Sequence, residues 1–284
     1  MIELGIKILI NGLTSGLVYI LMALGFTLIF GIMRVVNFAH GELYMISAFI
    51  VLVLAGTLGW NYYLAVLVAA IAVGFFGAAL ERIFFRRFVG RELNGMIMAI
   101  ALSMTLQAAA FIIFGTEEHS VPRPVSGVFR LGDVIVPRDR LVVGVFAVVI
   151  LGAFYAFMRF TKTGLAMRAV VQDEEIASML GVRPRLIHPL GFGLGAMLAG
   201  FAGALMAPIY TVYPYVGSQP MLKAFIVVIL GGLGSIPGAV LGGVVLGLSE
   251  SVFATLINTT VATMVSFGLV VVILLLKPTG LMGR

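Results

Sequence analysis

The chain has 284 residues, 61% of them hydrophobic and only 11% charged, with a mean hydropathy of +1.17; soluble domains are roughly a quarter charged, so a soluble fold is excluded. Its net charge of +6 fits the excess of Lys and Arg that membrane proteins keep in cytoplasmic loops. Nucleic-acid binding is excluded because no basic patch is interleaved with stacking aromatics, and the absence of cysteine rules out disulfide and thiol chemistry.

Apolar runs fall near 8–32, 43–58, 61–81, 94–115, 141–158, 188–208, 221–233, 239–257 and 262–276. Most approach the roughly 20 residues that a helix needs to cross the hydrocarbon layer, whereas barrel strands would be shorter and would alternate. The fold class is therefore all-α: one polytopic transmembrane helical bundle over 1–284, with about eight or nine spans. Two elements are broken or re-entrant, and an internal pseudo-repeat is expected. More membrane follows the apolar N-terminus, which reads as a first span and not as a cleaved signal. The 35 glycines suit close helix packing where lipid offers no hydrophobic drive.

The first polar knot lies at 31–48, where Arg34, Asn37, His40 and Glu42 interrupt apolar sequence between Gly31 and Gly41. Two readings stand. Arg34 and Glu42 could be solvated at the cytoplasmic end of the first hairpin. Alternatively, the helix breaks here and its freed backbone groups line a path, because charged groups at membrane depth usually face the protein interior or water.

Farther along, Arg82, Arg86, Arg87 and Arg91 form one basic loop, and Arg159, Lys162, Arg168, Arg183 and Arg185 mark another two spans later. They share a side. With Lys277 and Arg284 in the tail, eleven of the 18 Lys and Arg residues fall there, which makes it cytoplasmic and places the N-terminus outside. The loop 116–140 alternates to the outside. Its four arginines are balanced by Glu117, Glu118, Asp133 and Asp139, while Pro122, Pro124, Pro137, Gly127 and Gly132 mark an irregular loop or short hairpin.

The stretch 161–187 is a long polar interruption. Leu165, Ala169, Ile176, Ala177 and Leu180 recur at near-helical spacing while Arg168, Gln172, Asp173 and Glu175 fall mostly elsewhere, so one amphipathic helix is expected over 165–180, with Gly181 as its C-terminal cap. A plain surface helix and a partner-docking helix are both open; the acidic run Asp173, Glu174, Glu175 disfavours anionic lipid as the partner.

The second knot is glycine-rich, with Gly231, Gly232, Gly234, Ser235, Pro237 and Gly238 followed by Gly242 and Gly243. Without a following Lys-Ser/Thr it is no phosphate-binding loop. It reads as a broken helix or as close small-residue packing. As a break it would correspond to 37–41, suggesting two repeats with a path between them. No catalytic constellation accompanies it. His40, His119 and His188 lie in unrelated regions, His188 before Pro189 marks the start of a span, and Ser15, Ser47, Ser103 and Ser249 lack a nucleophile-elbow pattern.

Glu175-x-Ala177-x3-Gly181 resembles the cytoplasmic EAA-type loop of bacterial ABC importer permeases, with Ile176 standing where that pattern has alanine. The segments NGLTSGLVYILMALGFTLIFGIMRVVNFAHGELYMISA, QDEEIASMLGV and AFIVVILGGLGSIPGAVLGG extend the resemblance over nearly the whole chain, to the LivH-like permeases of branched-chain amino acid ABC importers. The resemblance implies a multi-pass protein of the bacterial inner membrane, beside a second, LivM-like permease. Two ABC ATPase subunits would lie beneath and a periplasmic substrate-binding protein above. It implies ATPase coupling through Arg168, Asp173, Glu174, Glu175, Ala177 and Gly181, with the path or helix breaks at Arg34, Asn37, His40, Gly41, Glu42, Gly231, Gly232, Gly234, Ser235 and Pro237. No cofactor is expected in this chain, because ATP and Mg would bind the partner ATPases. Relatives that carry urea, short amides or aromatic acids leave the substrate open. An ion-coupled transporter or channel is the alternative of a different class.

Overall fold

Long apolar helices dominate the computed structural model, which describes residues 2–131 and 134–283. Gly132, Asp133 and Arg284, used above in the loop and charge arguments, lie outside the described residues. In chain order the helices are α1 (Ile2–Met33), α2 (His40–Val51, continued by a π-helical turn Leu52–Thr57), α3 (Tyr62–Ile83), α4 (Glu92–Phe114), α5 (Arg138–Phe160), α6 (Lys162–Gln172), α7 (Glu174–Met179), α8 (Pro184–Met206), α9 (Ser218–Gly231), α10 (Ile236–Leu256) and α11 (Thr259–Leu276). Eight of these segments are long and apolar enough to cross a membrane, and α9 is a shorter apolar helix. The chain is a polytopic helical membrane bundle.

Local chemistry sets the helix starts. Asn61, Thr161, Asp173, Ser235 and Asn258 each cap the following helix by accepting a hydrogen bond from a backbone N–H two or three residues on. Pro184 opens α8, where its missing N–H costs nothing. The proline-rich loop between α4 and α5 contains an antiparallel hairpin, Val128–Leu131 with Val134–Pro137, as one of the expected forms for that stretch.

Packing follows an internal two-fold pattern. α1 lies along α10 as α8 lies along α3, α2 packs on α8 as α9 packs on α1, and α2 meets α4 as α9 meets α11. Small residues carry the closest approaches. Gly12 and Gly16 of α1 sit against Gly247 and Gly243 of α10, and Gly74 and Gly77 of α3 sit against Gly193 and Ala196 of α8. The two halves run in opposite directions: α1 ends beside α6, with Gly31 against Val171, whereas α8 starts on that face and ends on the face where Val212 bridges His119. Inverted repeats of this kind place irregular backbone near the middle of the bundle.

The repeat corrects one expectation. The break at 37–41 corresponds not to 231–238 but to 207–217, the irregular stretch before α9. Residues 231–238 form the tight turn from α9 into α10, equivalent to the turn at 58–61. Glycine was a misleading signal because a sharp helix–helix turn requires it, whereas the break before α9 is written in Pro208, Tyr210, Tyr213 and Pro214.

A second correction concerns 165–180, which forms two helices. Asp173 leaves α6 in an extended conformation, with φ −159°, and its Oδ1 accepts from Ile176 N at 2.9 Å. Leu165, Ile176 and Leu180 point outward while Gly164, Met167, Val170 and Ala177 are buried. Replacing Asp173 with alanine is expected to cost about 1 kcal/mol of local stability. Hydrogen exchange at the amides of 176–181 should accelerate by roughly fivefold, and unchanged protection would show that the cap is dispensable.

Candidate functional site

Three groups of polar residues stand out. The first is on the α6–α7 face. α7 ends in a Schellman turn, in which Gly181 N–H donates to Ser178 O (3.0 Å) and Val182 N–H to Ala177 O (3.1 Å). Gly181 adopts φ 88°, the left-handed conformation this cap demands and glycine tolerates. At the other end of α7, Glu174 Oε1 lies 3.5 Å from His188 Nε2 on α8. Glu175 and Asp173 are exposed. The outermost side chains are apolar: Met179 is 82% and Leu180 80% exposed, and Ile176 is exposed beside them.

Arg168 and Gln172 of α6 line a cleft of about 800 Å³ shared with Gly234, Ser235, Pro237 and Thr27. Two sequence-singled regions thus meet, the 161–187 segment and the glycine-rich turn. Gly231 ends α9, Gly232 caps it, Ser235 Oγ accepts from Gly238 N, and Pro237 lies in the first turn of α10. The C-terminal tail closes the turn, since Leu281 and Met282 N–H groups donate to Leu230 and Gly231 carbonyls at 2.8 and 2.9 Å.

The second group surrounds the break after α1. Arg34 ends α1 exposed, with φ 52°. Asn37 is buried, and its Oδ1 accepts from Ala39 N at 3.1 Å, forming the turn that starts α2. His40, fully buried, places Nε2 3.1 Å from Met22 O. Since Met22 lies about two-thirds of the way along α1, the chain has doubled back and α2 begins deep in the bundle. Gly41 meets Gly217 at the start of α9, where a Cβ on Gly41 would stand 2.7 Å from the Gly217 carbonyl oxygen. Two helix starts therefore meet in the interior. Glu42 turns away from them: its Oε1 accepts from Ser103 Oγ (2.9 Å) and Gln107 Nε2 (2.8 Å), both on α4. It fastens α4 to α2.

The third group was not singled out in the sequence. Lys223 Nζ lies 3.0 Å from Glu250 Oε1 and 3.2 Å from Ser266 Oγ, while Tyr19 OH donates to Glu250 Oε2 at 2.9 Å. These residues come from α9, α10, α11 and α1. Lys223, Glu250 and Tyr19 line a cavity of about 300 Å³ beside the first turn of α9. The available signal was a lone Lys and a lone Glu inside apolar runs, which at membrane depth mark functional positions by default.

A family model described as the branched-chain amino acid transport system permease component matches residues 8–275. The chain is similar to the high-affinity branched-chain amino acid transport system permease protein LivH of Escherichia coli K12, at 34% identity over 96% of this chain and 94% of the relative. It is similar to BraD, the corresponding permease protein of Pseudomonas aeruginosa, at 35% identity over 97% and 95%. A probable LivH of Methanocaldococcus jannaschii is 26% identical over 99% and 94%. No solved structure matches the chain.

Proposed function

The chain belongs to the branched-chain amino acid transport system permease family, and from that premise we propose that it is the membrane-spanning subunit of an ATP-driven importer of branched-chain amino acids. In this reading it forms half of the translocation path beside a second permease, receives substrate from a binding protein and draws its energy from separate ATPase subunits. The face bearing α6, α7 and the arginines of 82–91 is cytoplasmic, so the N-terminus is periplasmic and the tail cytoplasmic. ATP and Mg reside in the ATPases, and no chemistry is performed in this chain.

The observation that carries the coupling role is the apolar tip of α7. Ile176, Met179 and Leu180 project from a capped helix outside the spans, where a patch of this kind fits a groove on a partner. The ATPase's movement would reach the bundle through Glu174 and His188 at the start of α8, and through the cleft that joins Arg168 to the 232–237 turn. A packed helix transmits displacement as a lever because interiors resist compression.

Proteoliposomes holding the assembled complex test this. With binding protein and internal ATP, saturable leucine uptake is expected, and it should stop when ATP is omitted. Uptake of urea but not leucine would overturn the substrate assignment. Ion-driven uptake by this chain alone would overturn the importer reading.

A further inference from the structure

We propose that Lys223, Glu250 and Tyr19 form a binding station for the zwitterionic head of an α-amino acid inside the membrane domain, an assignment that rests on the importer reading above.

Lys223 and Glu250 form an ion pair in an unfavourable place. Lys223 and Glu250 sit on helices that span or enter the membrane, with their side chains 7% and 22% exposed. Burying two charges usually costs more than their attraction returns, so such a pair is weak support for a purely stabilising role. Both groups also keep unused capacity. An ammonium has three donors, and Lys223 makes two polar contacts, to Glu250 and Ser266; a carboxylate has about four acceptor sites, and Glu250 makes two, to Lys223 and Tyr19. That capacity lies on the wall of a cavity.

Shape and charge agree. The two charges of an α-amino acid are held one carbon apart, so a Lys and a Glu already in contact offer the complementary charges at matching spacing. The remaining wall mixes Val18, Met206, Val216 and the rings of Tyr44 and Tyr213 with the hydroxyls of Ser15, Thr211 and Thr263, and its apolar part suits a branched side chain. At about 300 Å³ the space is at the small end of the usual ligand-pocket range of ~300–1,000 Å³. Gln219 and Pro220 of the first turn of α9 also line it, and the positive end of a broken helix favours a carboxylate. In the absence of substrate each charged residue neutralises the other. The substrate exchanges places with that contact: its carboxylate takes Lys223, its ammonium takes Glu250, and closing the ion pair again favours release.

Uptake by the reconstituted complex tests the station through Lys223→Met, Glu250→Gln, the double variant and Tyr19→Phe, with assembly judged by co-purification of the subunits. Each charge-removing single variant is expected to lower leucine uptake at least tenfold. The double variant discriminates best. A merely structural pair can be replaced by two neutral residues with little loss, so restored uptake in K223M/E250Q would overturn the assignment, and continued failure in an assembled complex supports it. Should the charge variants not assemble, Tyr19→Phe decides: a rise of about threefold or more in the KM for leucine supports the station, and an unchanged KM overturns it. No leucine uptake by the wild-type complex overturns the importer reading and this assignment together. Wild-type uptake with undiminished variants overturns the assignment alone.

Discussion

Changing both Met179 and Leu180 to aspartate is expected to reduce ATP-driven leucine uptake at least tenfold while leaving the amount of protein in the membrane unchanged. Both side chains are more than three-quarters exposed, so neither contributes to the core, and the Schellman turn that ends α7 is made by backbone groups of 177–182. The fold therefore has little to lose. The docked state loses much, because each apolar side chain that enters a groove contributes about 1.5–3 kcal/mol and an unpaired carboxylate in its place adds a desolvation cost. A total near 4 kcal/mol corresponds to about a thousandfold in affinity. Binding of the ATPases to the variant, measured by co-purification, should fall in parallel. Full uptake by a variant present at wild-type levels would remove α7 from the coupling role and return 161–187 to being a plain surface segment.

Much of this arrangement was legible in the sequence because membrane helices obey few rules. Apolar length alone located the segments, and the basic loops grouped 82–91 with 159–185. Gly181 announced its cap, since a left-handed turn after a short helix favours glycine. What escaped the sequence depended on contacts across the fold. Asp173 looks like one more acid in a run of three, and only its backbone conformation makes it the cap that divides α6 from α7. Glu42 reads as part of a polar knot, yet its partners are Ser103 and Gln107, some sixty residues away. The Lys223–Glu250 pair was hidden because each member is a single charge inside a convincing apolar run, and nothing local announces that α9 and α10 bring them together. The break before α9 went unread for a related reason: tyrosine and proline interrupt a helix there, while the more conspicuous glycines mark an ordinary turn.

The meeting of the two interrupted helices sets the other large expectation, that Gly41→Val leaves little transport and a visibly less stable protein. An added Cβ would lie 2.7 Å from the Gly217 carbonyl oxygen and 2.9 Å from Met221 Cβ. Valine adds two methyl groups beyond that. Neither neighbour can yield cheaply, because one is backbone at the start of α9 and the other is anchored in its first turn, next to the chain that carries Lys223. Overpacking of this kind costs about 1–3 kcal/mol, occasionally more, and relief requires α9 to move away from α2. Such a shift would separate Lys223 from Glu250 and Ser266, so the damage spreads from the helix junction to the cavity beside it. Gly152→Val provides the comparison, because a Cβ at Gly152 meets nothing within 4 Å. Purified side by side, G41V should unfold several degrees below wild type and transport less than a tenth as fast, whereas G152V should match wild type in both. Equal behaviour of the two variants would show that α2 and α9 do not depend on that contact.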